Sequence, residues 1–244
     1  MQLTHFKLCP FSRAARLLLG ELGLSPELVE TRPWALSRMH LLEDPSGRLP
    51  LIRRNDGHLL CGFYALSEFI VDCQDRGDDV VALLAGAPAD DEDTPQQLVF
   101  LPENLDDRAE VRRLVDWFNG KCNAEVTQEL IVEKVRTVLD RSAGMTPNIA
   151  MLKAARANLR YHLDYLGFLA DKRRWIAGET LTIADFVAAA HISIIDYLDE
   201  VDWRSAPHVE GWYERLKSRR SFRPLLADRI PGLTPPAHYG ELDF

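Results

Sequence analysis

Leu181-Thr182-Ile183-Ala184-Asp185-Phe186 is the most strongly marked helix start in the chain. The Thr182 hydroxyl can accept the Asp185 amide while the Asp185 carboxylate reaches back to the Thr182 amide, and Leu181 and Phe186 can pack as a hydrophobic staple. Asp185 stands where Glu is commoner, with the same reciprocal geometry. Val187-Ala188-Ala189-Ala190 follow, small and apolar, as a central bundle helix requires. The apolar run from Phe186 to Ile195 is interrupted by His191 and Ser193 and falls short of the ~20 residues that cross a bilayer. His191 has no second histidine or carboxylate at metal-ligand spacing, so it reads as a hydrogen-bonded core histidine.

Apolar positions recur in steps of three and four at Val111, Val115, Phe118 and Cys122, and again at Leu152, Ala155, Leu159, Leu163, Leu166 and Ala170. The second half of the chain therefore reads as a helical bundle. The first half alternates shorter pieces. Leu3 to Leu8 is strand-like and stops at Cys9-Pro10; Ser12 can cap a helix carrying Leu17, Leu18 and Leu22 up to Gly23. Leu28-Val29 is a second strand, and Leu49-Pro50-Leu51-Ile52 and His58-Leu59-Leu60 flank the turn sequence Asn55-Asp56-Gly57 as a hairpin. A helix over about Tyr64 to Gln74 closes a β-α-β-(α)-β-β-α unit. Between the halves, Gly86, Pro88, Asp90-Asp91-Glu92-Asp93, Pro95 and Pro102 are poor material for a packed element. The expected organisation is an α/β domain over 1–82, an acidic linker over 83–107, an all-helical domain over 108–229 and an extended tail over 230–244.

The 244 residues are 46% hydrophobic, which excludes a disordered or fibrous chain. Four scattered cysteines, Cys9, Cys61, Cys73 and Cys122, make neither a disulfide scaffold nor a zinc motif, so reduced thiols and no metal are expected. The N-terminus lacks the layout of a signal peptide, and the expected location is cytoplasmic. A net charge of −8 argues against nucleic acid or anionic lipid as a general partner. Its distribution is uneven, with 7 basic against 13 acidic residues over 81–147 but 12 against 10 over 148–227.

A small β-α-β-α-β-β-α domain with Cys9-Pro10-Phe11-Ser12-Arg13 after its first strand and Leu49-Pro50 before its third, followed by a helical domain carrying Thr180-Leu181-Thr182-Ile183-Ala184-Asp185, resembles the glutathione S-transferase superfamily over residues 1–227. The resemblance implies a thioredoxin-like N-terminal domain and a cis Pro50 that turns the neighbouring backbone toward glutathione. Cys9 stands at a helix start, where free amides and the helix dipole favour a thiolate, and Ser12 is the alternative hydroxyl. Members of the superfamily place an acid-serine pair at the start of the helix after the hairpin, to hold the γ-glutamyl ammonium and carboxylate. Here the aligned pair is Gly62-Phe63, which supplies neither group. Losing two charge-assisted contacts at ~1.5–3 kcal/mol each would weaken glutathione binding by about two decades or more. Cys9, Leu49, Pro50, Gly62 and Phe63 are thus expected to form a vestigial site without a cofactor.

Three stretches narrow the resemblance: Leu114-Val115-Asp116-Trp117-Phe118, Asn158-Leu159-Arg160-Tyr161-His162-Leu163-Asp164-Tyr165, and Phe222 to Arg229 running into a tail that ends Pro235-Pro236-Ala237-His238-Tyr239-Gly240-Glu241-Leu242-Asp243-Phe244. They are similar to glutathione S-transferase-like bacterial division proteins that bind FtsZ. That resemblance implies a non-enzymatic homodimeric adaptor at the division site, binding FtsZ filaments and promoting constriction. It places partner contacts at Arg223, Asp228, Arg229, Tyr239, Leu242, Asp243 and Phe244. Lys217, Arg219, Arg220, Arg223 and Arg229 would steer an acidic partner. Pro231, Pro235 and Pro236 suit an extended peptide with apolar anchors; a tail folded into a groove of its own domain fits the composition equally. Trp34 is a core or partner-anchor candidate. The competing activity is a glutathione-dependent transferase or thiol oxidoreductase using Cys9 or Ser12, and a third reading is a redox sensor at Cys9.

Overall fold

The computed structural model describes residues 1–86, 100–140 and 144–241. They fall into two compact units, Met1–Phe100 and Leu101–Phe244. In the first unit, β1 (Gln2–His5), α1 (Pro10–Glu21), β2 (Glu27–Glu30), α2 (Arg38–Glu43), β3 (Leu51–Arg53), β4 (Leu59–Cys61) and α3 (Gly62–Arg76) follow in the expected order. The sheet runs β2-β1-β3-β4, with β1 parallel to β2 and antiparallel to β3. Leu3 pairs with both Leu28 and Ile52 across this sheet, and α1 packs against α3.

Two local features depart from expectation. Helix α1 begins at Pro10, with Cys9 in the cap position and no side-chain cap. Proline is pre-set for the first helical position and has no amide to leave orphaned there. Ser12 is therefore inside the helix, its hydroxyl accepting the Phe6 amide at 3.4 Å. The segment expected as linker is also shorter, because α4 (Val80–Ala85) occupies its start, with Asp79 accepting the Ala82 amide, and the next helix begins at Leu105. The acidic run Asp90 to Asp93 lies outside the described residues. The hairpin forms as read: Gly57 adopts φ +88°, Asp56 accepts the His58 amide at 3.0 Å, and β3 pairs with β4.

The second unit opens with α5 (Leu105–Asp116), capped by Asn104. It continues without a break into a π-helical segment, π1 (Trp117–Thr127), a short α6 (Gln128–Leu130), a second π-helical segment, π2 (Ile131–Arg136), and α7 (Thr137–Leu139). Bonding from i to i+5 widens the turn. The expected positions Phe118 and Cys122 are buried, and Val126, Leu130, Ile131 and Val135 carry the buried side onward. In α8 (Ile149–Lys172), Leu152, Ala155, Leu159, Leu163 and Leu166 form the buried stripe at the expected three-and-four spacing.

Helix α9 (Ile183–Tyr197) is buried along all 15 residues and packs against α5, π1 and α10 (Pro207–Lys217). A capping box opens it. Asp185 accepts four donors: the Ile176 amide and the Trp212 indole on Oδ1, each at 3.0 Å, and the Thr182 amide and hydroxyl on Oδ2 at 3.0 and 3.2 Å. Burial pushes its pKa up while these donors pull it down. One carboxylate thus ties the helix start to the preceding loop and to α10. The unit closes with α11 (Arg223–Leu226) and a 3-10 turn at Ala237–Gly240.

Asp185→Ala strands three N–H donors in the core, each costing ~1–3 kcal/mol if unsatisfied; urea denaturation is expected to register a loss of about 3 kcal/mol or more. Thr182→Ala is expected to cost about 1 kcal/mol.

A pH dependence follows from the buried histidines. Burial holds His191 down to about 3 and lowers His162, from an ordinary value of 6.5. The unfolded chain takes up a proton on each ring below that ordinary value, whereas in the fold His191 does so only near 3 and His162 only at lower pH than a free ring, so stability is full above it and falls as pH drops. Denaturation midpoints are expected to decline from about pH 6.5 toward 5 and to do so less steeply in His191→Gln.

Candidate functional site

Cys9, Leu49, Pro50, Gly62 and Phe63, the residues expected to form a vestigial glutathione site, all lie in the first unit. Cys9 is 8% exposed, and burial pushes its thiol pKa up despite the hydrogen bonds it makes with Ser12 and the backbone of Phe11 and Ser12. The dipole argument for a thiolate is thereby outweighed by desolvation. The Leu49–Pro50 peptide is cis, and the Pro50 carbonyl accepts the Gly62 amide at 2.8 Å. Gly62 adopts φ +84° with open space where a Cβ would sit. An acidic side chain at Gly62 would therefore meet backbone strain rather than a clash. Phe63 is buried in the core of the unit, so the pair offers glutathione no charged or hydroxyl group. Cys61, half-buried beside Asp44 and Glu43, also has its thiol pKa raised, first by burial and then by those acids.

At the other end of the chain the structure corrects the extended tail. Tyr239 is 0% exposed, donates its hydroxyl to the Leu225 carbonyl at 3.0 Å, and meets the Tyr197 ring edge-on at 5.2 Å. The Tyr197 hydroxyl in turn accepts the Ile230 amide and donates to the Leu233 carbonyl. His238 Nε2 contacts the buried Asp196 carboxylate at 3.0 Å, which also accepts the Trp203 indole. The prolines direct this strap without keeping it extended, because aromatic burial and satisfied carbonyls favour folding back. Tyr239 is therefore an internal anchor, and Leu242, Asp243 and Phe244 lie outside the described residues.

Lys217 is likewise withdrawn from the expected basic patch. It is buried, donates to the His238 carbonyl at 3.1 Å and lies over the Tyr213 ring. Arg220, Arg223 and Arg229 are exposed and Arg219 half-exposed. Arg229 is oriented by the Leu226 and Asp228 carbonyls, both at 2.7 Å, while the Asp228 side chain is buried. The structure thus gathers Arg223 and Arg229 with Arg220 on the surface of one short segment, and puts Asp228 beneath it.

Sequence reasoning missed one constellation. The stretches around Trp117 and Tyr161, singled out separately, meet in space. Trp117 lies 4.7 Å from the Tyr165 ring and 6.0 Å from the Tyr161 ring, and its indole donates to His162 Nδ1 at 3.1 Å. Arg113 donates to the Tyr165 hydroxyl at 2.6 Å, and Lys121 lies over Tyr161. The signal was present in the four-residue spacing of Tyr161 and Tyr165, which puts both rings on one helical face. Arg113 is also paired with Glu110, whose carboxyl is held down to about 2 by Arg113 and then Arg173. In the first unit Trp34 is half-buried and packs edge-on against the buried Phe6 ring at 5.4 Å. Among the described residues no cluster of His, Cys, Asp and Glu could hold a metal, and no helix is long and apolar enough to cross a membrane.

Comparison with known proteins places this geometry. Residues 3–75 match the glutathione S-transferase N-terminal domain family, and residues 132–215 the glutathione S-transferase C-terminal domain family. FtsZ-localized protein A of Caulobacter vibrioides (strain NA1000 / CB15N) is 38% identical over 245 residues, covering 99% of this chain and 97% of that protein. A glutathione S-transferase from Sinorhizobium meliloti 1021 superposes with a TM-score of 0.86 at 38% identity, covering 100% of this chain and 99% of the other. FzlA from C. crescentus superposes with a TM-score of 0.84 at 36% identity, covering 100% of both chains. A fold of thioredoxin-like and helical units, shared end to end with these relatives, identifies the chain as a member of the FtsZ-localized protein A family within the glutathione S-transferase superfamily.

Proposed function

We propose that this protein is a non-enzymatic adaptor that binds FtsZ filaments and promotes constriction during bacterial cell division. The observation that carries the reading is the glycine and core phenylalanine at Gly62-Phe63, in a chain similar over its whole length to an FtsZ-localized protein. A fold that keeps the cis Leu49–Pro50 turn but offers no partner for a γ-glutamyl group has kept its scaffold and lost its ligand. The adaptor works in the cytoplasm at the division site as a homodimer, whose paired sites engage a filament through avidity.

The partner-facing surface in this proposal is the segment from Arg220 to Arg229, with Arg220, Arg223 and Arg229 as its exposed cations and Asp228 as its support. Leu242, Asp243 and Phe244 are proposed as further partner contacts. Exposed cations act chiefly on association rate, and their effect is screened by salt. The burial of Tyr239 has a practical consequence, since truncating the tail from Tyr239 onward removes a core side chain and would lower stability along with binding.

The second reading, a glutathione-dependent transferase or thiol oxidoreductase using Cys9 or Ser12, is supported by 38% identity to glutathione S-transferases from Sinorhizobium meliloti 1021 and Rhodospirillum rubrum F11. The raised pKa of the buried Cys9 thiol weighs against it.

Two measurements test the reading. Arg220→Glu/Arg223→Glu is expected to reduce pelleting with polymerised FtsZ by about tenfold in affinity, with the melting temperature within a degree or so of the parent because both side chains are exposed. Undiminished pelleting would remove this surface from the proposal. Alkylation at about pH 7 is expected to label Cys61 well before Cys9; rapid labelling of Cys9 would favour the thiol chemistry.

A further inference from the structure

Two histidines from neighbouring helices bridge the π1 segment in the same way. His162 on α8 links Trp117 and Glu125, with Nδ1 3.1 Å from the Trp117 indole nitrogen and Nε2 3.1 Å from Glu125 Oε2. His191 on α9 links Asn119 and Thr127, with Nε2 3.3 Å from Asn119 Oδ1 and Nδ1 2.8 Å from Thr127 Oγ1. Each ring ties together two residues eight apart along π1. Such bridges hold the widened register from both sides.

The chemistry of the His162 bridge fixes its protonation. An indole N–H can only donate, so Nδ1 is the acceptor and carries no proton. Nε2 then carries the proton and donates to Glu125. A second proton can enter only at Nδ1, where it would face the Trp117 N–H as donor against donor. Glu125 is held ionised by its pairing with Lys121 and His162, so an imidazolium formed here keeps its carboxylate partner on Nε2 while losing Trp117 on Nδ1.

We infer that His162 is a proton-operated clamp, in which proton uptake at Nδ1 releases the Trp117 indole and dissolves the Trp117–Tyr161–Tyr165 surface cluster. Glu125 and Lys121 face it from π1, and His191 on α9 is close enough to be coupled electrostatically. Tyr161 and Tyr165 stand on its own helix, with Asn158 bonded to the Glu125 carbonyl and Arg113 on the far side of Tyr165. Glu125 favours the charged ring, and burial and Lys121 oppose it. Trp117 is only half-buried, so water replaces His162 as the acceptor of its N–H when the clamp opens. Tyr161 is 54% exposed, which makes the cluster a surface whose shape the proton changes. The device does not depend on the FtsZ-binding reading.

The test is a long-range proton–nitrogen NMR titration of the full-length, histidine-labelled chain from about pH 8 to 5. The expected result is the Nε2–H tautomer of His162 at the alkaline end and a doubly protonated ring below its ordinary value, with the Trp117 indole N–H signal moving over the same range. Trp117→Phe identifies that signal. His162→Gln supplies an acceptor and a donor without titrating, and is expected to leave the indole signal flat. An Nδ1–H tautomer, an indole signal unmoved while His162 protonates, or unfolding before protonation would each overturn the inference. If His162→Gln does not fold, the parent titration decides alone.

Discussion

The Asp185 carboxylate is the constraint on which the helical unit depends. It lies at the start of the most buried helix in the chain, and its two oxygens satisfy a loop amide, a helix-capping amide and hydroxyl, and an indole from α10. A carboxylate taken out of water is costly unless every lone pair is used. Here the cost is offset by donors from three separate pieces of chain, and the same bonds fix where α9 begins and how α10 lies against it. The all-small sequence after Phe186 then lets α5 and π1 approach α9 closely. An apolar residue at position 185 would leave those donors without partners, and no change elsewhere could restore them.

Much of this was legible in the sequence because the signals are local. Thr182 and Asp185 stand three apart, Asn55-Asp56-Gly57 permits a tight turn, and α8 keeps its three-and-four spacing throughout. What was not legible depends on partners distant in sequence. The π-helical stretch carries no local mark read in the sequence; His162 and His191, 45 and 64 residues away along the chain from Trp117 and Thr127, bond to it. The choice between an extended and a folded-back tail stayed open for the same reason. Its prolines suggested an extended peptide, but the carbonyl of Leu225 and the ring of Tyr197, both remote, give Tyr239 a better place inside. Ser12 failed as a cap because Pro10 claims the first helical position.

The candidate glutathione site illustrates the opposite balance. The identity of Gly62 and Phe63 could be read directly, and the structure adds the backbone reason: a left-handed φ that tolerates glycine and a phenylalanine committed to the core. Helix-start electrostatics alone would have kept Cys9 as a thiolate, yet burial moves the thiol the other way. The charge reading was sharpened likewise. A chain of net charge −8 can still meet an acidic partner, since Arg220, Arg223 and Arg229 lie exposed on one short segment far along the chain from the acidic run.

We propose that the transferase scaffold has exchanged its small-molecule ligand for a filament. The most direct test sediments the purified protein with polymerised FtsZ while titrating glutathione into the same preparation. Pelleting with filaments that glutathione does not alter is expected, with no glutathione binding below about millimolar concentration. Glutathione binding in the micromolar range without filament pelleting would contradict it.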